Sequence, residues 1–399
     1  MLRGNVVGGG ILCAVLSLFV LSCGERTPTE PDLPTRVVAV PASDIFTSSP
    51  QLEPRELLID GRATDIEWNV TGDPVLLLLR GSEGRGGDYY ASVRALWSTD
   101  PFNGDSLALY LLLQWADARP DFLEQPLITS ASWKNPDGTS PDCAVSDPLR
   151  DPTKWRRATD QHEDQVEIEI YSDADGSYPA DRWRWGSGTT DPATPVSTTE
   201  FDNAGPEETF GENLHPTAGW SEDFYNSGSG WTRDVGLTTY EDNFVPGSFV
   251  PRFIAGKGGR DTRQNRGKPV SYMIWRPVAK RFEACDSLNP IRIEDASQRQ
   301  KTWEPGDYVP SVTIGLPDSS QRDVVSRGGW DNGKWALEIR RFLVARTTDV
   351  RGRPEGLPRA DDVHLYSGRT YGLRVRIYNS SKTRSSVSPI VPLYIRPSQ

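Results

Sequence analysis

Histidine, methionine and cysteine are all scarce in this chain of 399 residues: three His, two Met and four Cys. Met1 aside, Met273, His162, His215 and His364 are its whole supply of thioether and imidazole. A His-based catalytic site therefore has little to draw on. No Cys has a second Cys at zinc-site spacing, and no C-x-x-C-H occurs, which excludes a Cys-based zinc site and a covalently attached c-type heme. G-x-S-x-G, H-E-x-x-H and a P-loop are also missing, so independent catalysis is not expected. Positive charge is in deficit. The net charge of −11 argues against a general nucleic-acid binder, which needs a basic face. Hydrophobic residues are only 36%, too few for a polytopic membrane protein or a helical bundle.

What is abundant is glycine (36), proline (32), tryptophan (13) and tyrosine (13). The Gly and Pro content implies many turns, and the aromatics rule out a disordered chain. The length fits one large β domain or two ordinary ones.

The first segment does not read as part of the fold. Arg3 precedes a run of about 16 apolar or Gly residues from Val6 to Leu21, followed by Ser22, Cys23 and Gly24. That is short for a membrane span and right for a signal h-region. Val20-Leu21-Ser22-Cys23 is similar to a bacterial lipobox, which implies removal of residues 1–22 and diacylation of Cys23. An uncleaved anchor helix is the alternative. Two acyl chains suffice for stable anchoring. Gly24 in place of Asp favours the periplasmic side of the outer membrane. Residues 23–50 are rich in Pro, Thr and Ser and read as a tether, leaving 51–399 as the globular domain. Cys143 and Cys285 then remain, and outside the cytoplasm they can form a disulfide. So long a loop would stabilise by roughly 5 kcal/mol in the chain-entropy treatment.

Several segments run apolar or alternate as strands do: Leu57–Ile59, Val75–Leu79, Ser92–Trp97, Ala108–Trp115, Val166–Tyr171, Trp335–Phe342 and Tyr371–Tyr378. The sequence VEIEIY at 166–171 is strictly period two, which predicts one buried and one wet face. Asn332-Gly333 between two Trp-containing runs predicts a two-residue hairpin. No stretch keeps helical period for three turns. These features predict an all-β antiparallel sandwich. Residues 186–310 hold few apolar runs and read as a loop-rich insertion.

The order of these segments carries a resemblance. Leu58-Ile59-Asp60-Gly61, Val93–Trp97, Leu109–Asp117, Glu163-Asp164-Gln165-Val166, Asp181-Arg182-Trp183-Arg184-Trp185, Trp303–Asp307, Gly329–Trp335 and Tyr371-Gly372 together resemble the heme-binding domain of the ethylbenzene dehydrogenase and DMSO-reductase-like family. That family is a β-sandwich related to family-9 carbohydrate-binding modules and DOMON domains. The resemblance implies a b-type heme held between loops at one end, in an electron-transfer subunit or redox partner of a membrane-associated complex. Known members ligate the iron with Met and Lys. Here the stretch before Trp183 holds no Met, and Arg327 stands near the Lys position, where a guanidinium cannot ligate iron.

Met273 and His162 are thus the iron ligands to test first, with Trp183 and Trp185 as a stacking wall for a porphyrin or a sugar. Each has a plainer reading: gap-filling Met, charged-turn His, core Trp. His215 reads as a loop residue, His364 as the surface of a late strand, and Lys334 as solvated in the hairpin. Asp173, Asp175 and Asp181 form an acidic stretch that could hold calcium or be a solvated turn. The alternative to electron transfer is a heme-free lipoprotein that binds a glycan or serves in a membrane-associated assembly.

Overall fold

A computed structural model gives the fold. It describes residues 36–42, 71–81, 88–99, 107–130, 152–190, 219–238, 240–244, 248–255, 308–314, 319–348 and 354–398, together with 59, 61, 63, 68, 194–195, 280–283, 292–293, 305–306 and 317. The chain divides into two units, Met1–Leu33 and Pro34–Gln399, and all described residues belong to the second.

The protein is all-β, with two 3-10 turns at Pro152–Lys154 and Ser319–Arg322 among the described residues. One 15-stranded sheet dominates. One half of it pairs Val324–Asp331, Lys334–Phe342, Leu107–Ala116 and Tyr89–Thr99, all antiparallel. The other half pairs Thr370–Tyr378, Gln165–Tyr171, Ala180–Gly186, Glu222–Asn226 and Thr232–Arg233, again antiparallel. Two short tiers join the halves. Val37–Pro41 lies parallel to both Tyr89–Thr99 and Val391–Ile395. Val75–Gly81 runs from Tyr89–Thr99 to Ser386–Val387. The halves face each other across one core containing Leu111, Leu113, Leu337, Ile168, Ile170, Leu373 and Val375. This is the expected sandwich.

The strand Leu107–Ala116 shows why a long apolar run was readable. Leu109, Leu111, Leu113 and Trp115 enter the central core. The intervening Ala108, Tyr110 and Leu112 join a second cluster under Ile59 and Trp68. A strand covered on both faces needs no polar alternation. The cover is fixed by Glu338, which accepts hydrogen bonds from Trp68 Nε1 at 2.6 Å and from the Gly61 amide at 2.8 Å.

Gln165–Tyr171 keeps its expected period. Val166, Ile168 and Ile170 face the core, and Glu167 and Glu169 face out. Their face is polar but not wet, since Glu169 is only 2% exposed. Arg182 and Arg374 cover it, and Arg182 stacks on Trp231 at 4.1 Å. The hairpin at 332–333 is also as expected: Asp331 pairs with Lys334, and Asn332 and Gly333 both have positive φ (48° and 82°), as a type I′ turn requires.

Three expectations need correction. Residues 37–41 belong to the sheet rather than to a tether, because the alternation of Val37 and Ala39 finds apolar partners in the C-terminal strand. The stretch 186–310 contains strands of its own, and Glu222–Asn226 extends the main sheet through five pairs with Ala180–Gly186. His364 lies in a loop, where its Nε2 meets the Arg359 carbonyl at 2.8 Å. Of Leu57–Ile59 only Ile59 is described, and it is not in a strand.

Candidate functional site

Glu163 and Asp164 stand where the chain turns into the Gln165–Tyr171 strand, and both are fully buried. Each collects donors from distant segments. Glu163 accepts from the Gly188 and Thr189 amides (2.6 and 2.8 Å), from Thr189 Oγ1 (2.6 Å) and from Gln165 Nε2 (2.8 Å). Asp164 accepts from the Asp121 amide (2.8 Å), the Ser380 amide (3.0 Å) and Trp335 Nε1 (3.2 Å). Two adjacent side chains thus tie together the loops at 119–123, 187–190 and 380. Burial and the nearby Glu124 carboxylate push Glu163 up to about 7, against the pull of its four donors. Burial and Asp117 raise Asp164 as well.

Above this scaffold lies an open pocket of about 410 Å³. Arg119, Asp121 and Phe122 form one wall, Asp160, Gln161 and His162 another, and Tyr308 and Ser380 complete it. The His162 ring is oriented by Glu124, whose carboxylate lies 3.3 Å from Nδ1. Glu124 also pairs with Lys382 at 2.7 Å. Arg119 is 76% exposed and reaches Asp121 at 3.2 Å. The lining is thus rich in hydrogen-bonding groups, with one tyrosine ring. None of Arg119, Asp121, Tyr308 and Ser380 was picked out from the sequence. They come from separate segments, and no spacing pattern gathers them.

Of the residues expected to hold a heme, the described ones, His162, Trp183 and Trp185, are not brought together. Trp183 and Trp185 are core residues, 1% and 0% exposed. Trp185 packs edge-on against Trp335 at 5.2 Å and against Trp115 at 6.2 Å. Trp183 lies beneath Arg341 at 5.6 Å. Neither lines the pocket that His162 lines. That pocket carries two Asp, an Arg, a Gln and a Ser beside Pro120, Phe122 and Leu123, whereas a porphyrin face needs an apolar slot. The described residues around His162 do not fit a b-type heme. Met273, the other candidate ligand, lies outside the described residues, as do Cys23, Cys143, Cys285 and His215.

Of the two readings of Asp173, Asp175 and Asp181, a calcium loop or a solvated turn, the turn describes Asp173 and Asp175, whereas Asp181 is buried. Asp175 is an exposed turn residue that accepts from the Ser177 amide at 3.0 Å and from its hydroxyl. Asp181 faces the interior and forms an ion pair with Arg341 at 2.7 Å. Asp173 is exposed. The buried Asp181 thus shares no site with the two exposed residues. Lys334 is exposed in its hairpin, as expected.

No family model and no curated protein matches the chain. A solved structure titled "a putative carbohydrate-binding protein from Bacteroides uniformis ATCC 8492" aligns with 84% of this chain and 93% of its own, at 7% identity and a TM-score of 0.28. At that score the likeness carries no argument about fold or ligand. Among the described residues no helix is long and apolar enough to cross a membrane.

Proposed function

We propose that this chain is a non-catalytic binding module whose ligand is a glycan, held in the pocket between residues 119–123, 160–162, Tyr308 and Ser380. The observation that supports this is the lining itself. Arg119, Asp121, Asp160, Gln161 and His162 line one opening beside the Tyr308 ring. Planar charged and amide groups suit the paired hydroxyls of a sugar ring, and a tyrosine face suits its C–H face. The volume falls in the usual range for a small-ligand site. The buried Glu163–Asp164 scaffold holds the loops, so little ordering entropy is lost on binding. Lipidation at Cys23 would hold the module at the cell envelope.

The test is calorimetric titration with a panel of soluble oligosaccharides, repeated for His162→Ala and Arg119→Ala. The reading expects a glycan that binds the wild type and loses at least about tenfold in affinity, about 1.4 kcal/mol, in each variant. A panel without any binder, or variants that bind as the wild type does, would refute it. Titration with hemin belongs in the same series. A Soret band that disappears in His162→Ala would replace the glycan reading with a heme-carrying one.

A further inference from the structure

The edge of the second half-sheet carries a group of acids that the glycan pocket does not use. Asp223 lies on the strand Glu222–Asn226, and Asp234 directly follows the strand Thr232–Arg233 that pairs with it. Asp362 comes from the loop ahead of Thr370–Tyr378. One carboxylate oxygen from each lies within 4.8 Å of the others. All three side chains are buried, at 0%, 5% and 6% exposure. Both oxygens of Asp223, both of Asp234 and Oδ2 of Asp362 have no hydrogen-bond partner. A cluster of acids alone would mean little. A wholly buried carboxylate with neither oxygen partnered, such as Asp223, points to something that occupies the space between them.

The charge balance points the same way. Two cations lie beside the group among the described residues, and both are already engaged: Arg359 bonds Asp361 at 3.0 Å and lies 3.9 Å from Asp362 Oδ2, and Arg341 is fully buried. Its Nη2 pairs with Asp362 Oδ1 and with Asp181 Oδ2, each at 2.7 Å. Nothing similar is bonded to Asp223 or Asp234. The backbone around them is locked independently: Gln321 Nε2 donates to the Asp223 and Asp234 carbonyls at 2.7 and 3.2 Å. Gln321 thereby fixes the backbone of Asp223 relative to that of Asp234. An isolated buried carboxylate is strongly disfavoured unless it is paired or coordinates a metal.

We propose that Asp223, Asp234 and Asp362 form a calcium site that ties the 222–234 hairpin to the loop at 359–363. Calcium is favoured by the donor set, which is entirely oxygen and carboxylate, with no His or Cys. A buried, all-protein cage also suits calcium better than magnesium, which keeps several waters and demands octahedral geometry. The expected role is structural. The ion would supply a positive charge bonded directly to the hairpin acids, whose oxygens Arg341 does not bond.

The experiment uses the full chain after exhaustive treatment with a chelating resin. Calcium is titrated in by calorimetry, with magnesium as the control, and thermal unfolding is followed in EDTA and in about 5 mM CaCl2, above the dissociation constants of roughly 0.1–1 mM typical of extracellular calcium modules. The proposal expects one saturable calcium site, a rise in Tm of several degrees with calcium, and a much smaller response to magnesium. In Asp223→Asn and Asp234→Asn, both isosteric, the calcium response should be lost. Absence of calcium binding to the wild-type chain would overturn the proposal whatever the variants do. So would an undiminished calcium response in Asp223→Asn.

Discussion

Glu163 offers the sharpest test of the scaffold beneath the pocket. Its carboxyl is raised from 4.5 to about 7 in the folded protein, chiefly by burial. The folded state therefore binds this proton more tightly than the unfolded chain does. The stability linked to Glu163 is fully present below pH 4.5 and is lost as pH rises to about 7. At about 1.4 kcal/mol per pH unit, that difference is about 3 kcal/mol. The group is wholly buried, so solvent screening does not reduce it. Glu163→Gln removes the titration while leaving a shape the site can accept. The Gln oxygen can take the Gly188 and Thr189 amides. Thr189 Oγ1 and Gln165, both able to reverse their hydrogen bonds, can accept from the new amide. Urea unfolding at pH steps from 4.5 to 8 would measure both proteins. The wild type should lose about 3 kcal/mol relative to Glu163→Gln over that interval. Parallel stability curves would refute the assignment, showing that the four donors hold Glu163 ionised throughout.

Glu169 should behave in the opposite sense. Burial pushes its carboxyl up, but the Tyr171 hydroxyl with Arg182 and Arg374 overcomes this and holds it below the usual range. Its contribution is present above the unfolded value and lost as pH falls, so Glu169→Gln should flatten the acid limb of the stability curve. An unchanged acid limb would count against the ion cluster. Trp335→Phe removes ring contacts to Trp115, Trp185 and Phe122 and the hydrogen bond to Asp164. A loss of about 3 kcal/mol in urea unfolding is expected, and a loss under about 1 kcal/mol would mean the aromatic stack is not holding the two half-sheets. Gly61 has φ of 78°, and a Cβ there would meet the Gly328 carbonyl carbon and the Gly329 nitrogen at 2.8 Å. Gly61→Ala should therefore lower stability by about 1–3 kcal/mol. An unchanged Tm would show that the cover over the outer face can shift freely.

How far the sequence discloses this protein follows from what makes each feature local or distant. Leu107–Ala116 and Gln165–Tyr171 are legible because a strand's burial pattern is written in its own residues. The 332–333 turn is legible because Asn-Gly satisfies a backbone requirement that few dipeptides meet. Val37–Pro41 is not legible. The prolines around it suggest an extended linker, and one of its two partner strands lies at the far end of the chain, Val37 opposite Leu393. Trp183 and Trp185 could be placed on one face, but the sequence does not say whether that face looks into the core or into a binding slot. The pocket is least legible of all. Its walls come from four segments, two of which, at 121 and 380, are tied by the Asp164 carboxylate, and nothing in a Glu-Asp pair reveals which distant amides it will hold.

The buried acids of this protein fall into two kinds, and the difference lies in their donors rather than in their depth. Glu163 and Asp164 are as buried as Asp223, yet between them they accept seven hydrogen bonds, six of them from residues remote in sequence. Such carboxylates act as backbone clamps and are complete as they stand. Asp223 and Asp234 have the same chemistry and comparable burial and accept none. A chain that had only to fill this edge of the sheet could do so with apolar residues at lower cost. Keeping two unclamped acids there, next to a third whose arginine is already shared, makes sense if a cation completes the group. The contrast also separates the tests. Calcium should act on the hairpin edge and leave the pH response of Glu163 unchanged, whereas Glu163→Gln should alter that response and leave the calcium effect intact.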